Sequence, residues 1–366
     1  MNWYDDETSK NNLESTLTTK EAEKLNEEQR KLQVTGGSTF ILSLPKDWAT
    51  KNELKRGSSM IVREEDDGSL SISPNSFPQK GKQDEAFIKV IQNDNPDAVM
   101  RTTISAYLSG YNLLHVRAQS QKPLSLKLRN HLKTFARHYL VGTEIVTDTA
   151  TDLTLQVLLN YPELTVQNAL SRMSIIASSM HKEAIQALKK LDHSSANAVI
   201  ETDREVNRFS LYIVRLLKLA VSNQRIVKEI GLNSQRDCLG YRLIAKSVER
   251  SADHATKIAE NTLLLKEIVN EELLNKIVQL SELANAMFER SMEALFKHDF
   301  HMAESVIEKL GQVHWLEKEA VLCSQNVKVE EVVNLRLLIE SVRRTAEYAS
   351  DISEVVLNLN VESVLS

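Results

Sequence analysis

The chain has 366 residues, 42% of them hydrophobic and 26% charged, with a formal net charge of −5. That length passes the roughly 250 to 300 residues at which one hydrophobic core stops growing, so two or three domains are expected and global disorder is not. The charge balance gives no overall basic signature, so any nucleic-acid contact has to come from a local patch. Cys238 and Cys323 lack metal-ligand spacing, which speaks against a zinc site or disulfide framework and for buried thiols in a reducing cytoplasm. The acidic start has no apolar h-region, and no uncharged run approaches about 18 residues, so neither secretion nor membrane insertion is expected.

A polar, acidic tail covers residues 1–28, and the pattern changes over 29–76 into short apolar runs separated by turn signals. Gly36-Gly37-Ser38 marks one turn, Phe40-Ile41-Leu42-Ser43-Leu44 a strand stopped by Pro45, and Lys46-Asp47-Trp48-Ala49 a helical turn. Ser59 to Arg63 and Ser69 to Ile72 flank Asp66-Asp67-Gly68, a hairpin signal. A unit this small is marginal alone, which predicts a dimer through this region. Between Arg30 and Arg63 lie seven lysines and arginines against only Asp47 and Glu53, a local basic patch in an acidic chain.

Residues 84–161 alternate strand-like runs (Phe87 to Ile91, Leu113 to Arg117, Glu144 to Thr147) with helical segments (Pro96 to Ser109, Leu124 to Leu140). The predicted order is βαβαβ, a small connector domain. Gly110 and Gly142 stand just past the helix ends, where a left-handed cap is wanted. All six prolines fall at or before Pro162, so the half from 164 to 366, which is nearly free of helix breakers, is predicted all-α. It contains a repeat, about 164–268 and 270–362, each copy reading as three helices. Gln186 to Asp192 aligns with Glu293 to Asp299, and Ala196, Val199, Ile200, Glu201 and Val206 align without a gap with Ala303, Val306, Ile307, Glu308 and Val313. A second pairing joins Ser247 to Ala255 with Ser341 to Ala349. The overall expectation is a multidomain α+β protein ending in tandem three-helix bundles.

The runs Val199 to Asn207 and Val248 to Glu260 resemble the signature helices of the PhoU phosphate-uptake regulators over roughly the last 200 residues. The segment Arg30 to Pro74, with Thr35-Gly36-Gly37-Ser38, Leu44-Pro45-Lys46-Asp47-Trp48 and Leu54-Lys55-Arg56-Gly57, resembles the AbrB/MazE swapped-hairpin DNA-binding domain. The two in this order are similar to archaeal PhoU-like transcriptional regulators. The resemblance implies duplex contacts from Arg30 and Lys31 on the first strand, Ser38 and Thr39 in the turn, and Lys46; charge adds Lys51 and Arg56.

Glu249 and Asp253 stand four apart on one helix face, and Asp203 and Asn207 repeat that spacing. The resemblance implies that such motifs face each other and hold a cation, here a divalent or iron cation in the first repeat, with His254 as a nitrogen donor if the metal is iron or zinc. Asn207 is a weak member of the set. In the second copy Leu310 and His314 replace Asp203 and Asn207, and Arg343 and Glu347 replace Glu249 and Asp253, so no second site is expected. Arg343 is expected to pair with Glu347 or Glu340 on an exposed helix face. Arg250 and Arg344 read as packing and salt-bridge residues, with pairing between helices to acids such as Glu260 and Glu354 the alternative. His181, His193, His298 and His314 read as surface or bundle histidines. With no nucleophile triad, Walker loop, GxGxxG or HExxH stretch, no enzyme is expected, and the resemblance implies a DNA-binding regulator of phosphate homeostasis. The alternative is an adaptor docking on a phosphate transporter or sensor kinase, with the N-terminal domain serving dimerisation alone.

Overall fold

The structure, a computed structural model, describes residues 28–64, 68–75, 85–91, 94–119, 122–159, 161–324 and 329–365, and the chain divides into two units, residues 1–81 and 82–366. Nearly all of the acidic tail and the Asp66-Asp67 pair of the second turn lie outside the described residues.

The first unit consists of two hairpins and a short helix. Strands β1 (Gln33–Thr35) and β2 (Thr39–Ile41) pair antiparallel across a turn in which Gly36 and Gly37 both take positive φ, a conformation that glycine adopts without steric penalty. Helix α1 (Lys46–Lys51) follows Pro45, and β3 (Met60–Glu64) pairs antiparallel with β4 (Leu70–Pro74). The two hairpins form separate sheets. Their apolar side chains face outward: Val34, Phe40, Val62 and Leu70 are each 60% exposed or more.

The second unit begins with a four-stranded sheet in the order β5-β6-β8-β7. Strand β5 (Glu85–Val90) runs parallel to β6 (Leu113–Ala118), and α2 (Pro96–Leu108) crosses between them. Helix α3 (Leu126–Tyr139) then leads to β7 (Thr143–Asp148). The predicted βαβαβ order is present, and the chain adds a strand, β8 (Asp152–Val157), which turns back and inserts between β6 and β7. Ile88, Val90, Leu114, Val116, Leu153 and Leu155 share one buried cluster with Val99 and Tyr107 of α2 and Leu128, Leu132 and Ala136 of α3. Asn95 and Ser125 cap the two helices by accepting from Asp97 N and Leu128 N.

The helical half packs around a single core running from Val166 to Val356. The first repeat is α4 (Val166–Lys190), α5 (His193–Ser222), a short α6 (Gln224–Glu229) and α7 (Asp237–Leu263). The second is α8 (Glu271–Lys297), α9 (Phe300–Ile307), α10 (Leu310–Cys323) and α11 (Val329–Asn360). The repeat is visible at matching joints. Leu191 after α4 and His298 after α8 are both left-handed, with φ of 51° and 53°, and Asp192 and Asp299 then cap the following helices. The long α5 has a broken counterpart, α9 and α10, interrupted at Glu308 and Lys309; Gly311, a weak helix former, stands where α5 has Arg204. Of the two free thiols Cys238 is buried, whereas Cys323 is half-exposed because its helix ends there, against the expectation of two buried thiols.

Candidate functional site

The acidic residues of the first repeat face one another across α5 and α7. Burial, and then the charge of Glu249, raises the Asp203 carboxyl above the usual range; Asn207 Nδ2 donates to Asp203 Oδ2 at 2.6 Å. Asp203 Oδ1 is buried with no hydrogen-bond partner. Asp253 is pushed up to about 6 by burial, then by Glu249 and Asp203. Three carboxylates therefore press on one another with too little counter-charge, since among the described residues their one direct ion pair joins Glu249 to Lys246 one turn away. Among the described residues no three His, Cys, Asp or Glu side chains already group as a set of metal ligands.

His254 Nε2 lies 3.4 Å from the Tyr348 hydroxyl of α11 and its Nδ1 is buried with no hydrogen-bond partner; burial, and then Lys257, Arg344 and Arg343, lower its pKa to about 4.

In the N-terminal unit, Arg30 and Lys31 lie in the segment ahead of β1 and not on the strand, and Arg30 pairs with Glu28. Ser38 ends the turn and Thr39 opens β2; β1 is only three residues long, which leaves both basic residues before it. Lys46 and Lys51 begin and end α1, and Arg56 sits in the turn that follows. All seven side chains are exposed.

The PhoU domain family model matches the helical half twice, over residues 170–262 and 277–356. The family described as antidote-toxin recognition MazE, bacterial antitoxin, matches residues 33–80. The chain is a PhoU-like protein with an N-terminal AbrB/MazE-type domain. Among solved structures it is similar to the phosphate transport system regulatory protein PhoU from Streptococcus pneumoniae, at 19% identity over 55% of this chain and 96% of that one, with a TM-score of 0.47. It is also similar to PhoU from Pseudomonas aeruginosa, at 20% identity over 54% of this chain and 96% of that one, with a TM-score of 0.49. No curated protein matches. Among the described residues, no helix is long and apolar enough to cross a membrane.

In the second PhoU repeat the matching place is self-neutralised. Arg343, where the first repeat has Glu249, donates to Glu347 of its own helix and to Glu317 of α10 at 2.7 Å. This grip is half-buried, not on an exposed helix face, because α10 closes over it. Arg344 pairs with Glu347 and Glu340 on its own helix, and Arg250 lies 5.9 Å from the Tyr348 ring, the salt-bridge and packing roles expected of them. Nearby, His181 is fully buried at the meeting of α4, α8 and α11, with Nε2 2.9 Å from Ser281 Oγ; burial lowers it to about 4.

One residue that sequence reasoning passed over ties the connector to the PhoU-like bundle. Arg215 of α5 is fully buried, and its guanidinium lies 4.8 Å from the Tyr107 ring. It donates to the carbonyls of Tyr107, Tyr111 (3.0 Å) and Gly110 (3.2 Å), and to Asn112 Oδ1 (2.8 Å). The Tyr107 carbonyl lies in the last turn of α2 and those of Gly110 and Tyr111 in the turn that follows, at the negative end of the helix dipole, so a cation from another element caps this end of the helix. Gly110 is required here twice: its φ is +94°, and a Cβ would sit 2.5 Å from Leu219 Cδ2. The only signal in the sequence was an arginine on the apolar face of a helix.

Proposed function

We propose that this PhoU-like protein is a non-enzymatic, dimeric DNA-binding regulator of phosphate uptake. The observation that carries the reading is the N-terminal unit, which matches a MazE-type family, exposes a set of basic side chains, and leaves Val34, Phe40, Val62 and Leu70 uncovered in a single copy. Apolar surface left in water forgoes about 25 cal/mol per Å², so two unconnected hairpins gain their core by interleaving with a second copy. A two-fold dimer then presents Arg30, Lys31, Ser38, Thr39, Lys46, Lys51 and Arg56 twice to a duplex. The test is a salt titration of binding to promoter DNA of phosphate-transport genes, with and without phosphate. Several phosphate contacts predict a many-fold loss of affinity between about 50 and 200 mM salt. Unchanged binding by Arg30→Ala with Lys46→Ala would refute the site; no binding at low salt would leave the adaptor, docked on a transporter or sensor kinase, as the function.

The first PhoU repeat is proposed to take a divalent or iron cation on Asp203, Asn207, Glu249 and Asp253. The orphaned Asp203 Oδ1 and the raised carboxyls of Asp203 and Asp253 support it, since a cation supplies the missing counter-charge. Oxygen donors of this kind suit hard cations. Elemental analysis of protein purified without chelator tests this; metal-free protein that gains no thermal stability from added Mg²⁺, Mn²⁺ or Fe²⁺ would sink it.

A further inference from the structure

Between Asp97 and Glu144 the chain has no acidic residue at all, although its average of 50 in 366 would place about six there. The same stretch carries seven lysines and arginines and three histidines. It supplies α2, β6 and α3 of the connector. Structure sorts these cations into two groups. Arg117 is paired with Asp152, while Arg129 and Lys133 both bind Asp148 and hold its carboxyl below the usual range, Arg129 first. Lys127 and Arg137 stand exposed on α3. Lys127, His131, Thr134 and His138 follow one another at spacings of four, three and four along α3, with Asn130 and Arg137 beside them, and all six are exposed. From Lys127 to Arg137 this stripe runs about 15 Å at 1.5 Å per residue.

We infer that the outer face of α3 is a second contact surface for the phosphodiester backbone of duplex DNA, separate from the N-terminal unit. A cationic stripe interleaved with hydroxyl and amide groups is the donor set that recognises phosphate oxygens without reading sequence. A membrane surface fits less well, because apart from Leu126 at its start the outer stripe has no large apolar side chain to insert. This inference rests on the DNA-binding reading above. Both contact surfaces belong to one chain, so once either engages, the other binds at a high effective concentration.

The experiment compares the full chain with Lys127→Glu/Arg137→Glu, with the milder Thr134→Glu, and with Arg30→Ala/Lys46→Ala, on one duplex over a range of salt. Thermal unfolding establishes that each variant is folded. Loss of two phosphate contacts per chain, four per dimer, predicts a salt slope smaller by about three to four and affinity at 0.15 M salt weaker by about tenfold or more, with Thr134→Glu in between. Wild-type binding with an α3 variant of unchanged slope and affinity overturns the inference while leaving the N-terminal reading intact. Absence of wild-type binding overturns both. Loss of binding to anionic phospholipid vesicles, with duplex binding unchanged, assigns the face to a membrane and overturns it too.

Discussion

Position 249 in the first helical repeat and position 343 in the second hold the same place on α7 and α11, yet one is a glutamate and the other an arginine. The first repeat gathers negative charge and leaves a buried carboxylate oxygen without a partner. The second carries its own cation, bound to Glu317 and Glu347. The contrast extends to the middle helix. Arg215 on α5 holds the connector, and the ungapped alignment sets Leu322, 48% exposed and one residue from the end of α10, at the corresponding place. One bundle architecture thus serves two purposes: the second repeat is internally neutralised, and the first holds both the connector and the only uncompensated acidic cluster of the matched pair.

The most forceful way to test that division is to cut the joint. Arg215→Met removes the donor that the Tyr107, Gly110 and Tyr111 carbonyls and Asn112 Oδ1 share and should lower unfolding stability by about 3 kcal/mol, read by urea denaturation. Leu322→Ala should cost about 1 kcal/mol or less. Equal losses would remove the distinction between the two middle helices. A smaller effect is expected at the internal cation. Arg343→Met leaves Glu317 and Glu347 facing each other half-buried, a loss of about 2 kcal/mol, and a double-mutant cycle with Glu317→Gln should return a coupling of about 1 kcal/mol. Coupling near zero would mean that the second repeat is not held together by its arginine.

Much of this asymmetry was legible in the residues. The replacement of Glu249 and Asp253 by Arg343 and Glu347 showed the difference in charge between the repeats, and proline depletion predicted the helices. Leu191 and His298 cap α4 and α8 in a conformation usually left to glycine, so their joints became visible only through the repeated aspartates that follow. Strand β8 escaped notice because Leu153, Thr154 and Leu155 are all buried, which erases the alternation that marks a half-exposed strand. Arg215 was invisible for a different reason: its partners are mostly backbone carbonyls, which any sequence supplies. The acid-free run of the connector was readable throughout, but only in a local window, since the chain as a whole is acidic.

The subtlest difference between the repeats concerns pH. A carboxyl raised in the folded state holds its proton more tightly there than in the unfolded chain. Asp253, raised from 3.8 to about 6, therefore lowers stability fully above about pH 6 and ceases to do so as pH falls toward 3.8. His181, lowered to about 4, works in the opposite direction, and its contribution is lost as pH falls from 6.5 to 4. The wild-type curve mixes these with His254, also lowered to about 4, and with the raised Asp203, so the informative quantity is the difference between Asp253→Asn and wild type. With chelator at pH 7.5 the variant should be more stable by about 1 kcal/mol, a figure discounted for the partial exposure of the site, and the gain should vanish near pH 4. A cation bound at Asp203, Glu249 and Asp253 supplies the same relief to wild type alone and would erase the gain at pH 7.5. A gain of equal size at both pH values would show that Asp253 is not compressed by its neighbours, and the first repeat would then have no more need of a counter-charge than the second.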